Sequence, residues 1–318
     1  MARKNSIWAQ SLLAVLTSLL FAGSFVAGKY TTSEMSPLMI TLLRYAIASL
    51  FLQGLVWYQS KQGKPPKTSI NKASLSDKIC LFLLGTTGVV GYHFFFFYSL
   101  RYTVVANSAI INAFNPVITG FLAAAVLKET LAVRNYMGGA IAILGVLVLL
   151  TNGNLASLRQ FQFNSGDMLM LCAVVCWAFY SILLRHLGKR YSGLSMSYYG
   201  ALFGVLQLLI LVAPEVSRSG FPSLSLPAIL GVIYMGIGAS GIGYLLFTLS
   251  TQRIGPTKST SIVYSGVPVW VTLLAWLFFK EPVTPWMIVS MGLILLGLRT
   301  VLQPISKPVL QPNRENIS

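Results

Sequence analysis

The chain contains itself twice. Gly91-Tyr92, Arg101, Pro116, Lys128-Glu129 and Gly145 recur 152 residues later as Gly243-Tyr244, Arg253, Pro268, Lys280-Glu281 and Gly297. Nearer the N-terminus the shift is 156 residues: Phe21-Ala22 matches Trp177-Ala178, Lys29 matches Arg185, and Ser36 matches Ser192. A four-residue difference in one loop reconciles the two offsets. In an apolar chain, two copies of one unit point to a binding site between the copies.

What the copies are made of follows from composition. At 318 residues, 55% hydrophobic and 9% charged, with a mean hydropathy of +0.72, the chain has more apolar surface than a soluble core of its length can bury. Ten apolar runs of roughly 20 residues, the length that crosses a bilayer core at about 1.5 Å per residue, are legible. Their limits are 8–29, 36–58, 79–99, 103–127, 133–151, 167–185, 195–214, 226–250, 257–279 and 284–302. Short connections leave no room for a separate soluble domain. Arg3 and Lys4 precede the first run as in a signal peptide, but the run is long, carries Lys29 and has no convincing cleavage site, so it is expected to stay as a helix.

The net charge of +16 would suit nucleic acid in a soluble protein, but no aromatic-interleaved soluble module accompanies it. The basic residues sort by side instead. With a cytoplasmic N-terminus, 17 of the 23 Lys and Arg residues fall inside, while Lys29, Arg101, Arg159, Arg218 and Lys280 fall outside and Arg44 lies within a run. Positive loops resist translocation, so the asymmetry predicts a multi-pass protein of the cell inner (plasma) membrane with both termini cytoplasmic. Segment 59–78, with five lysines and Pro65-Pro66, is expected to be a solvated loop near lipid headgroups. Residues 303–318 are expected to be a disordered cytoplasmic tail. Cys80, Cys172 and Cys176 sit in apolar runs without His or acidic neighbours and are expected to pack.

The expected fold is therefore an all-α polytopic membrane protein of ten transmembrane helices, arranged as a first repeat over 8–151 and a second over 167–302. Five helices per repeat is an odd number, so the second copy enters the membrane from the opposite side and the repeats are inverted. Two states of similar energy, open to opposite sides, follow from such symmetry.

Phe21-Ala22-Gly23-Ser24 and Trp177-Ala178-Phe179-Tyr180-Ser181 share an aromatic and small-residue pattern, Arg44 sits in the second run, and Asn115-Pro116 to Lys128-Glu129 and Val267-Pro268 to Lys280-Glu281 each show a proline, an apolar run and a terminal glutamate. Together, and above all through the last pattern, they resemble the ten-helix drug/metabolite transporters built of two EamA-type repeats, over about residues 8–302. The resemblance implies a polytopic transporter, usually an exporter of small metabolites such as amino acids.

Candidate substrate-binding residues come from polarity in an apolar setting. Pro116 and Pro268 fall mid-run, where a proline frees the carbonyls of Asn112 and Tyr264 and makes a hinge or kink. Around them Ser108, Asn112 and Asn115, and Ser261, Tyr264 and Ser265, recur at helical spacing and can line a cavity or fasten helices together. His93, in Gly91-Tyr92-His93-Phe94-Phe95-Phe96-Phe97, is an ionisable group at membrane depth and so a functional candidate by default. Phe21, Tyr92, Trp177, Tyr180, Tyr244 and Trp270 offer aromatic faces, and Ser24 accompanies Phe21. Arg44 is expected to reach the interface or pair with a carboxylate such as Glu34.

These features favour a secondary transporter working by alternating access, with a proton-coupled multidrug or metabolite antiporter using His93 as the alternative. An ATP-driven pump lacks its G-x-x-x-x-G-K-[ST] loop. A membrane enzyme would need a catalytic constellation, yet two histidines and seven acidic residues are all the chain has, and the acids map to loops or helix ends. A channel suits paired proline kinks and inverted halves less well. The expected partners are a small-molecule substrate and the lipid bilayer, with no nucleic acid, metal or cofactor; the sequence leaves the oligomeric state open and is compatible with a monomer.

Overall fold

The computed structural model describes residues 2–63, 73–127, 133–154, 163–188, 190–254 and 256–302. Lys128-Glu129, Arg159, most of the 59–78 lysines and the 303–318 tail lie outside the described residues. We number the helices α1 (Ala2–Thr31), α2 (Pro37–Lys61), α3 (Leu75–Tyr102), α4 (Val105–Asn112 continued by Asn115–Leu127), α5 (Val133–Thr151), α6 (Ser165–Leu187), α7 (Gly193–Ser219), α8 (226–254), α9 (Pro256–Phe279) and α10 (Pro285–Leu302). Among the described residues nine helices are long and apolar enough to cross a membrane, and α10 contributes a shorter apolar stretch, Pro285–Val301. Leu50, at 69% exposure, and Ile210, at 75%, belong to an outer surface that only lipid would cover.

Starts and breaks are written locally. Ser36 and Ser192, repeat counterparts, cap α2 and α7, each hydroxyl accepting from the amide three residues on. Ser74 and Ser225 do the same for α3 and α8. Hydroxyls inside helices bond back onto their own backbone, as Thr17 does to the Leu13 carbonyl (2.8 Å) and Thr41 to that of Pro37 (2.6 Å), which hides their polarity from lipid.

The fourth run breaks where expected and the ninth does not. In α4 the chain turns at Ala113-Phe114 and restarts at Asn115-Pro116, a pairing that suits a helix start because the proline needs no amide partner there. Val267-Pro268 offers no such start, and α9 runs unbroken through it.

Interfaces obey the repeat. If α1 corresponds to α6, α2 to α7, and so on, then α1 against α9 is the counterpart of α6 against α4, α3 against α6 of α8 against α1, and α2 against α8 of α7 against α3; α2–α7 and α5–α10 are their own counterparts. All of these contacts join one half to the other. The two self-paired interfaces are close ones: a side chain at Gly138 on α5 would sit 2.8 Å from the Gly297 carbonyl oxygen on α10. Both halves also carry a π-helical stretch at matching places, Gly85–Gly91 in α3 and Tyr234–Gly243 in α8.

Candidate functional site

Where the halves meet, the molecule is hollow. A narrow central chamber of about 60 Å³ is lined by Phe21, Ser24, Phe25, Arg44, Tyr92, His93, Phe96, Asn112, Trp177, Tyr244, Val263, Tyr264 and Val267. Trp177, Tyr244 and Tyr264 are shared with a wider vestibule of about 490 Å³, whose wall also includes Pro116, Thr119, Ala123, Tyr180, Arg185 and Met196. That vestibule runs toward the 187–193 connection, at the end of the bundle where α1 begins and α10 ends.

The opposite end is tied shut by bonds between the halves. Glu281, just past α9, accepts from the backbone amides of Val105 (3.0 Å) and Ala106 (3.4 Å) at the start of α4, where the helix dipole favours an anion. Asp167 accepts from the Thr103 hydroxyl (2.7 Å) and from Asn107 (3.4 Å). Ser36 donates to Glu215 (2.7 Å), and the Ser225 amide donates to Glu34 (2.9 Å). Within the first half, Lys29 donates to the carbonyls of Leu100 (2.6 Å) and Thr103 (3.1 Å), and Arg101 to those of Thr32 (3.0 Å) and Met35 (2.7 Å). The repeat counterpart of Lys29 is Arg185, which lines the open vestibule. The molecule therefore has one sealed end and one open end. At the open end a lone described ion pair, Asp77–Arg190 (2.7 Å), links the halves.

Glu34 lies outside the membrane helices, and the Ser225 hydroxyl and amide hold its carboxyl below the ordinary carboxylate range. A depressed folded pKa stabilises at neutral pH, and that contribution is lost as pH falls through it. Glu34→Gln is accordingly expected to lower the melting temperature relative to wild type at pH 7, with the gap closing in acid. A gap of constant size across that range would contradict the assignment.

Of the sequence candidates, Phe21, Ser24, Tyr92, His93, Asn112, Trp177, Tyr244 and Tyr264 lie around the chamber, and Tyr180 and Pro116 around the vestibule. Asn115 lies behind this wall and donates to the Asn112 side-chain oxygen, which also accepts from the Tyr92 hydroxyl (3.2 Å). Ser265 and Pro268 are not among the lining residues of either cavity. Ser108 is buried against Ser99, hydroxyl to hydroxyl at 2.6 Å, and Trp270 donates to Ser18 (3.1 Å), so both fasten helices instead. Of the cysteines, Cys172 is exposed and Cys80 and Cys176 are half-buried.

His93 is fully engaged. Its Nδ1 lies 3.0 and 3.1 Å from the carbonyls of Gly88 and Val89, and its Nε2 lies 3.4 Å from the Tyr45 hydroxyl. Carbonyl oxygens only accept, so Nδ1 carries the proton and Nε2 is left to accept from Tyr45. His93 lies just past the π-helical stretch 85–91, and its imidazole reaches back onto two carbonyls of that stretch.

Arg44 is the residue that sequence reasoning misplaced. It neither reaches the interface nor meets Glu34, which is bonded to Ser225; it is only 5% exposed and points into the bundle. Its Nε donates to Ser240 (2.9 Å) and its Nη1 to Ser24 (2.9 Å). The correction has a physical cause: the partners are remote in sequence, and a period of 3.6 residues alone leaves the rotation of an apolar helix undetermined. In the repeat register Arg44 corresponds to Gly200, so the charge is present in one half only.

Among the described residues, ten apolar helices in two repeats, packed half against half around a central chamber, make a multi-pass membrane protein. The chain belongs to the EamA-like transporter family, whose pattern matches residues 8–151 and again 164–303. It is 27% identical over 288 residues to an uncharacterized transporter, YyaM, of Bacillus subtilis (strain 168), covering 89% of this chain and 90% of that protein. A probable terminal-alkyne amino-acid exporter of Streptantibioticus cattleyicolor is 24% identical over 301 residues, 95% of this chain and 94% of its own. An S-adenosylmethionine/S-adenosylhomocysteine transporter of Chlamydia trachomatis serovar L2 is 25% identical over 300 residues, 91% and 88% respectively. A crystal structure 19% identical in sequence superimposes with a TM-score of 0.60 over 92% of this chain and 96% of its own, which is a likeness of fold.

Proposed function

We propose that the chain is a secondary transporter that exports small organic metabolites such as amino acids, by alternating access through the chamber between its inverted repeats. It sits in the cell inner (plasma) membrane with both termini in the cytoplasm, so the conformation described is open inward. One observation carries the reading: a hollow at the junction of the repeats opens toward one end only, while the other end is tied across the halves by Glu281 and Asp167. Exchanging these roles between equivalent positions would give the outward-open state. The named relatives support the substrate class, since an amino acid and S-adenosylmethionine share an α-amino-acid group. No step of covalent chemistry is assigned to the chain.

The experiment is counterflow into proteoliposomes. Vesicles preloaded with an unlabelled metabolite are given the labelled one outside, across a panel of amino acids and related organic acids. Saturable labelled uptake stimulated by internal substrate is expected for at least one member. Flux no greater than in protein-free vesicles, or single-channel currents, would overturn the reading.

A further inference from the structure

The central chamber contains a buried cation with no anion beside it among the described residues. Arg44 is 95% enclosed, and its two described hydrogen bonds go to neutral hydroxyls, Ser24 and Ser240. A guanidinium has five N–H donors, and Nη2 bonds to none of the described residues. The Tyr45 ring, 5.7 Å from the guanidinium carbon, adds a cation–π contact and no counter-charge. All five described carboxylates are engaged elsewhere: Glu34 with Ser225, Asp77 with Arg190, Asp167 with Thr103, Glu215 with Ser36, and Glu281 with the start of α4. A charge so placed is costly in an apolar bundle unless something carried in completes it.

The cavities say what that could be. Among the described residues, Arg44 and Arg185 are the charged residues of the chamber and vestibule walls, and none of those lining either cavity is an aspartate or glutamate. The chamber's 60 Å³ is room for a few waters, at about 10–15 Å³ each on this measure, or for one head group. Aromatic rings of Phe21, Tyr92 and Trp177 surround it, and the 490 Å³ vestibule beyond has space for a bulkier apolar body. The amide nitrogen of Asn112, whose oxygen is already taken by Tyr92 and Asn115, supplies a second donor on the same wall.

We propose that Arg44 is the carboxylate anchor of the transport site, and that the substrates are small organic acids, amino acids included, whose carboxylate enters the chamber while an apolar body rests on the aromatic wall. This rests on the transporter reading given above. Ser24 and Ser240 are positioning residues: by holding Nη1 and Nε they aim the free nitrogen at the chamber. A carboxylate there makes charge-assisted bonds that an amide of the same shape cannot replace.

The test compares acid, amide and amine on one skeleton: 3-phenylpropanoate, 3-phenylpropanamide and 3-phenylpropylamine, then the 4-methylpentyl set, with L-phenylalanine and L-leucine alongside. Binding is read by thermal-shift titration of the purified full chain, and movement by counterflow. Acids and amino acids are expected to bind at least about tenfold more tightly than the amides, and the amines not measurably. Arg44→Gln should bring the acids down to the amide level, and Arg44→Lys should keep part of the preference. Amides or amines that bind as well as acids to wild type would overturn the anchor, as would an Arg44→Gln protein that melts like wild type and still prefers acids. If Arg44→Gln does not fold, the wild-type acid-to-amide ratio and Arg44→Lys decide. Acids that bind but do not move would strike the transporter reading and leave the anchor standing. Acids that move no better than amides would do the reverse, and a panel that neither binds nor moves would overturn both.

Discussion

Glu281→Ala is expected to open the sealed end. The carboxylate lost from the start of α4 is a charged helix cap joining the two halves, and such a cap contributes roughly 1–2 kcal/mol, so the equilibrium between the two states should shift about tenfold toward the one open at that end. Ala109 lies one turn farther into α4 and is fully buried there. With Cys80, Cys172 and Cys176 replaced by alanine, a single Ala109→Cys should react slowly with a membrane-impermeant thiol reagent, and about tenfold faster once Glu281→Ala is added. Thr119→Cys, on the vestibule wall, should move the other way. Asp167→Ala should add to the effect, because its bonds to Thr103 and Asn107 hold the same junction. Unchanged labelling at both cysteines would mean that these ties hold nothing closed.

His93→Leu is expected to fail both in stability and in transport. The substitution removes the imidazole's hydrogen bonds to the carbonyls of Gly88 and Val89 and to the Tyr45 hydroxyl. Each such bond contributes about 0.5–1.5 kcal/mol, together enough to lower the melting temperature by several degrees. His93→Asn, whose amide nitrogen stands near the place of Nδ1, should recover much of the stability. Because both ring nitrogens are engaged, the imidazole is better placed to hold the π-helical segment than to shuttle protons. Reconstituted protein should therefore move substrate without an imposed pH gradient and should not concentrate it when one is applied. Uphill accumulation driven by protons, lost in His93→Asn, would restore the coupled antiporter.

What could be read from the sequence was whatever the repeat writes twice. The 152- and 156-residue offsets give the counterpart interfaces, the Ser36 and Ser192 caps, and the clustering of Phe21, Tyr92, Trp177, Tyr244 and Tyr264 near the axis. What it hid is written once or depends on backbone register. Arg44 has a glycine as its counterpart, and its serine partners come from α1 and α8, so no local pattern marks it. The π-helical stretches look like packing glycines until the backbone shows its pairing. The two prolines looked alike, yet Asn115 lets α4 restart where Val267 lets α9 continue.

The central claim is that the two ends exchange roles, and counterpart positions offer a direct measure of it. Tyr30 on α1 and Phe278 on α9 flank the sealed end, where the Tyr30 and Phe279 rings lie 4.9 Å apart. Their repeat equivalents, His186 on α6 and Val126 on α4, follow Arg185 and Ala123 of the vestibule wall at the open end. Spin labels placed at each pair in turn, with distances read by pulsed electron resonance in lipid discs, should show Tyr30–Phe278 short and Val126–His186 long in the described state. Glu281→Ala, or saturating substrate, should populate a second state in which the first distance grows as the second shrinks. Distances that stay fixed, or that lengthen together at both ends, would contradict alternating access.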